Sequence, residues 1–182
     1  NDAKFVGLQN FIDLFSDRTF GKAVSFSLLY TLVNLIIVNF IALLLAAILS
    51  SKKLKVGGIA RTLLFSPNVI SLVAVGLIWT FIFTQVFASF VSSTGWQWMN
   101  IDWFGGATSA RIAIYIITGW VTCGYLMTIY IAGFNAIDTS IIEAAQIDGS
   151  SGLNLFFLVK FPLIMPSVVI CVFWITLYSL KV

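Results

Sequence analysis

Long apolar runs alternate with short polar connections along this chain, and the runs set its architecture. Four uncharged stretches are long enough to cross a bilayer, which takes about 20 residues. They are Ala23 to Ser51, a second within Thr62 to Ile101 with its apolar core roughly Leu63 to Phe87, then Ile112 to Ile137, and Phe161 to Leu180, the last just long enough. Ahead of them Phe5, Leu8, Phe11, Ile12 and Leu14 or Phe15 recur at helical spacing among polar residues. That pattern suits an amphipathic helix lying along the membrane interface, or a plain tether to a preceding span.

Composition agrees with the pattern. The chain has 182 residues, 60% hydrophobic and only 9% charged, against roughly 25% charged for a soluble domain. Six Trp suit a protein with membrane interfaces to anchor. The expected class is therefore all-α, a polytopic transmembrane helix bundle of about four spans. The chain starts without Met and stops inside the apolar run "WITLYSLKV". It is read as part of a longer protein, lacking a preceding span and the C-terminal end.

Charge sets the orientation. The connection after the first span, "SKKLKVGGIAR", carries Lys52, Lys53, Lys55 and Arg61 without an acid, whereas "SSTGWQWMNIDWFGGATSAR" carries Arg111, Asp102 and three Trp. Positive residues collect on the cytoplasmic side and Trp at the interface, so the first connection faces the cytoplasm and the second faces outward. Two further crossings place Asp138 to Lys160 in the cytoplasm. Pro67, flanked by Ser66 and Asn68, should then kink or break the second span near its cytoplasmic third.

Several chemistries are excluded. There is no His, and Cys123 and Cys171 lie in apolar runs, so neither imidazole catalysis nor a Cys/His metal site has its residues. The two cysteines read as small buried hydrophobes rather than a disulfide. No nucleophile–base pair, metal constellation or phosphate-binding G-x-x-x-x-G-K-[ST] loop is present, so no catalytic residue, metal or cofactor is expected. A net charge of +3, dispersed along the chain, gives no nucleic-acid surface.

The spans hold no acid or base away from their ends, which disfavours an ion-driven transporter and charged cargo. They do hold Asn34, Asn39, Asn68, Ser71, Thr118, Thr122, Thr128, Tyr130, Thr176 and Ser179. Interhelical hydrogen bonding is the ordinary role of such residues in bundles. Trp120, Tyr125, Trp174 and Tyr178 are candidates to line a substrate path, because a ring with a polar handle both stacks on a ligand and hydrogen-bonds it. Gly119 and Gly124 allow close helix approach without forming a strict small-xxx-small pair.

The polar interruption "SIIEAAQIDGSSGLNLFFLVKFPLIMP", Ser140 to Pro166, stands out. Ser140 and Glu143 fit an [ST]-x-x-E capping box, which predicts a helix from about Ile141. Gly149, with Ser150 and Ser151, should end it in the left-handed region. A second short amphipathic segment, Leu153 to Phe161, then leads to Pro162. Ile141, Ile142, Ala145, Leu153, Phe156 and Phe157 are too apolar for a free loop, so something should cover them.

Glu143-Ala144-Ala145, three residues, Gly149, nine residues, then Val159-Lys160-Phe161-Pro162 resembles the cytoplasmic signature of binding-protein-dependent ABC importer permeases, E-A-A, three positions, G, nine positions, I-x-L-P. Val159 and Phe161 are conservative departures, and Asp138 stands where this family often has Pro. The segments "FVGLQNFIDLF", "RTLLFSPNVIS", "YIAGFNAID" and "SLKV" resemble the carbohydrate-uptake branch, related to the maltose importer membrane subunits.

The resemblance implies a type I importer transmembrane domain over residues 1–182 with a cytoplasmic coupling loop at 138–161. It implies that Glu143, Ala144, Ala145, Gly149 and Pro162 couple to a separate ATPase subunit. The implied partners are a second permease, two ATPase subunits, an extracytoplasmic solute-binding protein, a sugar substrate and the lipid bilayer. It also implies that the third and fourth spans line the central cavity, with Tyr125 at an aromatic position that contacts sugar. Another solute, or less readily a channel or secondary transporter, is the alternative reading.

Overall fold

The computed structural model describes residues 7–50 and 57–181. Phe5, Ser51, Lys52, Lys53 and Lys55 lie outside them. Among the described residues all regular structure is helical. The predicted amphipathic helix is α1, Gln9–Ser16, whose Leu8, Phe11 and Phe15 face are all exposed.

The first span is one helix, α2, Arg18–Leu49. It starts ahead of the apolar run because the Asp17 carboxylate accepts from the Thr19 backbone N–H at 2.7 Å, capping its first turn. A π-helical turn over Asn34–Val38 interrupts it. There the Asn34 side-chain amide donates to the Tyr30 carbonyl at 2.9 Å, and Asn39 to the Leu35 carbonyl at 3.0 Å.

The second span departs from expectation. It is two helices, α3 at Gly57–Phe65 and α4 at Leu72–Thr94, joined through a 3-10 turn at Ser66–Val69. Pro67 breaks the run as expected, but the crossing helix starts at Leu72 rather than near Leu63. Two local features shift it. Pro67 has no N–H to give an α-helical ladder, and Ser71 adopts an extended conformation in which its hydroxyl accepts from the Ala74 N–H, 3.3 Å. Gly95, at φ +72°, ends α4.

The connection between α4 and the third span folds back on α4, burying Trp103 against Phe83 (ring centroids 4.5 Å apart) and Phe87. The third span is α5, Ala107–Asn135. The fourth is also corrected: Phe161 and Pro162 belong to a separate helix, α7 (Gly152–Leu163). A 69° bend at Ile164 separates it from α8, Met165–Ser179. Among the described residues three helices thus reach crossing length alone, and α7 and α8 reach it only if counted together as one broken span.

The core lies where α2, α5 and α8 meet. Ala42 and Ala46 of α2, fully buried, let that helix close on Leu126, Met127 and Tyr130 of α5, with Ile164, Cys171 and Ile175 filling the third side. Two hydrogen bonds tie polar side chains across the seam, while the Asn34 amide oxygen and the Ser179 hydroxyl are buried without a partner among the described residues. Tyr30 donates to Thr118 at 2.6 Å and Tyr130 to Asn39 at 2.8 Å, the interhelical role expected for such residues. Both cysteines are free, and the Cys171 thiol points at the Leu126 carbonyl, 3.8 Å. Near the other end of α2, the Arg61 guanidinium donates to the Leu49 carbonyl and ties α3 to the end of α2.

Candidate functional site

At the end of the bundle where α2 and α5 finish, the chain turns through α6, Thr139–Ile147. Its cap is not the predicted one. Asp138 takes the N-cap position, its carboxylate accepting from the Ser140 N–H at 2.9 Å, and the helix begins two residues before Ile141. A carboxylate caps as well as a hydroxyl does, and Asp138 comes first on leaving α5. The same N–H, helped by the Ser140 side chain, holds the Asp138 carboxyl below its ordinary range.

The other end matches the expectation closely. Gly149 has φ +87°, its N–H bonds the Gln146 carbonyl at 3.1 Å, and the Ser150 N–H reaches back to Ala145 at 2.9 Å. This paired closure is a Schellman motif, which requires the left-handed residue that glycine supplies without strain. Gly152, at φ +52°, reverses the chain again into α7. The position was not singled out by sequence, because a glycine directly after a serine pair carries no turn signature of its own.

The signature residues fall on two faces. Glu143 borders a cleft of about 410 Å³ with Ile142, Gln146, Ala47, Phe134 and Lys160, so it looks back toward the bundle. Ala145 is half-buried, whereas Ala144 and Gly149 are exposed. Pro162 is exposed on α7, just ahead of the Ile164 bend. The apolar residues that sequence expected to be covered divide likewise. Phe156 packs on Phe134 at 6.1 Å between ring centroids and Ile142 is half-buried, but Ile141, Leu153 and Phe157 stay exposed. Ile147, passed over in the sequence because it follows the signature triplet, is 85% exposed and is the most prominent apolar group on α6.

Of the four aromatic candidates, the structure brings three together. Trp174 and Tyr178, one turn apart on α8, stack at 5.1 Å and 16°, and Tyr125 of α5 meets Trp174 at 4.6 Å. All three are half-buried, each with part of its ring accessible. Trp120 stands elsewhere. It makes an edge contact with Trp79, 5.6 Å, and borders an apolar groove of about 490 Å³ together with Leu64, Pro67, Tyr115 and Gly124. Gly124 is tight against α3, since a Cβ there would fall 1.9 Å from the Leu64 carbonyl oxygen. Gly119 has no such neighbour closer than 3.5 Å, so only one of the two glycines makes the approach.

Comparison with known proteins gives this geometry a lineage. The chain is 35% identical over 95% of its length to the probable starch degradation products transport system permease protein AmyD of Thermoanaerobacterium thermosulfurigenes. It is 32% identical over 98% of its length to the lactose transport system permease protein LacF of Rhizobium radiobacter. It spans 59% and 60% of those curated relatives. Its fold superposes with a TM-score of 0.87 on a chain from the crystal structure of a bacterial ABC transporter involved in the import of the acidic polysaccharide alginate. The identity there is 20%, covering 100% of this chain and 64% of the other. Residues 39–181, which include the α6 turn and the aromatic trio, match the family described as binding-protein-dependent transport system inner membrane component, and the chain belongs to that family.

Proposed function

We propose that this chain is the membrane-spanning permease subunit of an ATP-driven importer of sugars or oligosaccharides, with residues 138–161 as its coupling loop. The observation that carries the reading is the α6 turn. A capped helix, closed by the left-handed Gly149, holds Ile147 and Ile141 exposed at one end of an otherwise apolar bundle. An apolar helix face kept out of the core needs a partner, and the resemblance of the α6 turn to the importer signature makes a separate ATPase subunit that partner.

On this reading ATP is hydrolysed by that subunit. A second permease completes the pathway, and an extracytoplasmic solute-binding protein delivers the cargo. Glu143 borders the cleft between α6 and the bundle, and Ala144 and Gly149 leave the outer face low enough for close docking. Starch products and lactose in the relatives' names favour a neutral carbohydrate. The stacked Tyr125, Trp174 and Tyr178 suit it, since aromatic faces match the apolar faces of sugar rings and their polar handles match hydroxyls. Trp120, on its own apolar wall, is left out of the proposed path.

The test is co-purification of the ATPase with variants of the full-length permease, alongside sugar uptake in vesicles. Ile147→Asp touches no buried group and should abolish docking and uptake while leaving membrane insertion intact. A Cβ at Gly149 meets no atom within 4 Å, so the effect of Gly149→Val is chiefly backbone strain, about 1 kcal/mol or more, that reorients α6. It should also stop uptake. Docking and uptake both intact in Ile147→Asp would remove the coupling role from α6.

A further inference from the structure

At the end of the bundle opposite α6, Arg18 and Lys22 of α2 and Arg111 of α5 line one cleft of about 600 Å³, with Phe26 and Leu29. Among the described residues no carboxylate lines it. The two nearest acids in sequence are engaged locally, Asp17 as the cap of α2 and Asp13 as acceptor from the Gln9 side chain at 3.0 Å. The Arg111 guanidinium lies over the Phe26 ring, 5.5 Å from its centroid, which fixes one cation above an apolar floor. Three like charges gathered from two helices repel one another unless an anion joins them.

Depth identifies the anion. At 1.5 Å per residue Phe26 lies about 35 Å along α2 from Leu49, and Arg111 about 36 Å along α5 from Asn135. The hydrocarbon core is about 30 Å thick, so the cleft sits at headgroup level. Directly inward the surface turns apolar: Leu28, Leu29 and Leu32 are exposed along α2. Tyr115, one turn from Arg111, is the outermost member on α5 of the 490 Å³ groove lined by Val33, Ile37 and Ile116. A cationic cleft at the interface with apolar surface beneath it has the polarity of a phospholipid, head and tail.

We propose that Arg18, Lys22 and Arg111 form a site for the phosphate of an anionic phospholipid, whose acyl chains run inward along α2 and α5. The arginines offer forked donors that match a phosphate's oxygens, and Lys22 adds a point charge. This site is independent of the cargo assignment, since it involves neither the aromatic trio nor α6.

The experiment uses the full-length permease in its assembled complex, incorporated in nanodiscs of phosphatidylcholine with a minor fraction of spin-labelled phosphatidylglycerol or spin-labelled phosphatidylcholine. The expected result is a motionally restricted phosphatidylglycerol population in excess of the phosphatidylcholine one. That excess should fall about fivefold for each charge removed in Lys22→Gln and Arg111→Gln. Arg111→Lys should keep most of it, and Lys160→Gln at the opposite end should leave it unchanged. Lys22 is exposed, so Lys22→Gln carries the test even if Arg111→Gln fails to assemble. Three results would each overturn the proposal: equal restriction of the two lipids in the parent protein, displacement of the excess by millimolar inorganic phosphate, or an unchanged excess in Lys22→Gln while capture of a soluble extracytoplasmic protein is lost. The second would mean a site for small soluble anions, the third a protein-docking surface.

Discussion

Replacing Gly124 with alanine should be the most damaging single-methyl change in the bundle. The added Cβ would stand 1.9 Å from the Leu64 carbonyl oxygen, 2.6 Å from its carbon and 2.9 Å from the Phe65 Cα. Every one of these is backbone, so no rotamer change relieves the clash. To bring the oxygen out to 3.4 Å, where contact becomes ordinary, α3 and α5 must part by about 1.5 Å, and a gap of 0.5–1 Å already forfeits a quarter to a half of a dispersion contact. Overpacking of this kind costs about 1–3 kcal/mol, and an immovable neighbour puts the change at the upper end. Gly119→Ala is the internal control. Its Cβ would meet only a Val38 methyl at 3.5 Å, and exchanging glycine for alanine within a helix gains up to about 1 kcal/mol. Gly133→Ala should fall between them, because Ser167 Oγ, 2.4 Å away, belongs to a side chain that can rotate. Thermal unfolding of the purified full-length complex, followed by loss of the monodisperse peak, should rank the variants Gly119→Ala, Gly133→Ala, Gly124→Ala in falling stability. A Gly124→Ala protein as stable as Gly119→Ala would refute the close approach of α3 to α5.

Three further outcomes are expected. Single cysteines at Ser93 and Ser151, in a background lacking Cys123 and Cys171, should react oppositely with an impermeant thiol reagent in intact cells. Ser93→Cys should label and Ser151→Cys stay protected, and the reverse would invert the proposed orientation. Tyr125→Ala removes a ring from the aromatic trio and should weaken sugar uptake by about 1–3 kcal/mol of lost stacking, while ATPase association persists; unchanged uptake would return Tyr125 to packing. Asp138 has its carboxyl pKa lowered from 3.8, so its capping of α6 is complete at neutral pH. It weakens only as pH falls below that ordinary value and through the lowered one. Amide exchange at the first turn of α6 should therefore rise at the acid end of the profile, and Asp138→Ala should remove that rise and leave exchange fast throughout.

What the sequence made legible was whatever depends on run length or on one local geometry. Uncharged runs of spanning length gave α2 and α5, and glycine after a helix-forming segment gave the φ of Gly149. Legibility failed where two local signals competed. Asp138 and Ser140 both satisfy a capping pattern, and the residue nearer the end of α5 prevailed. Leu63 to Phe65 are as apolar as the run that follows, so hydropathy could not show that Ser71, by capping Ala74, starts α4 afresh. Pro162 and Pro166 announce a break, but they fall on either side of it: Pro162 in the last turn of α7, and Pro166 in the first turn of α8, where proline is tolerated. Only packing shows that the bend falls between them, at buried Ile164. The aromatic trio was half legible: the four-residue spacing of Trp174 and Tyr178 puts them on one face of α8, while the approach of Tyr125 and the absence of Trp120 depend on how α5 meets its neighbours.

Those neighbours explain how an event at α6 can reach the aromatic trio. α5 is unbroken from Ala107 to Asn135 and carries Tyr125, so displacement of its inner end moves Tyr125 with it as a rod. Trp174 and Tyr178 ride on α8, which is joined to α6 only through α7 and the 69° elbow. The elbow is pinned rather than loose. Ile164 is 1% exposed, and Gly133 of α5 lies so close to it that a Cβ there would come within 3.6 Å of Ile164. A push on α6 therefore reaches Tyr125 directly along α5 and reaches Trp174 by leverage about Ile164. The two routes end on opposite sides of one ring contact, the 4.6 Å between Tyr125 and Trp174. Because one route is rigid and the other hinged, the same displacement changes that contact instead of carrying both rings together. On the proposed function, that difference lets movement of the ATPase at the coupling loop open or close a path for cargo.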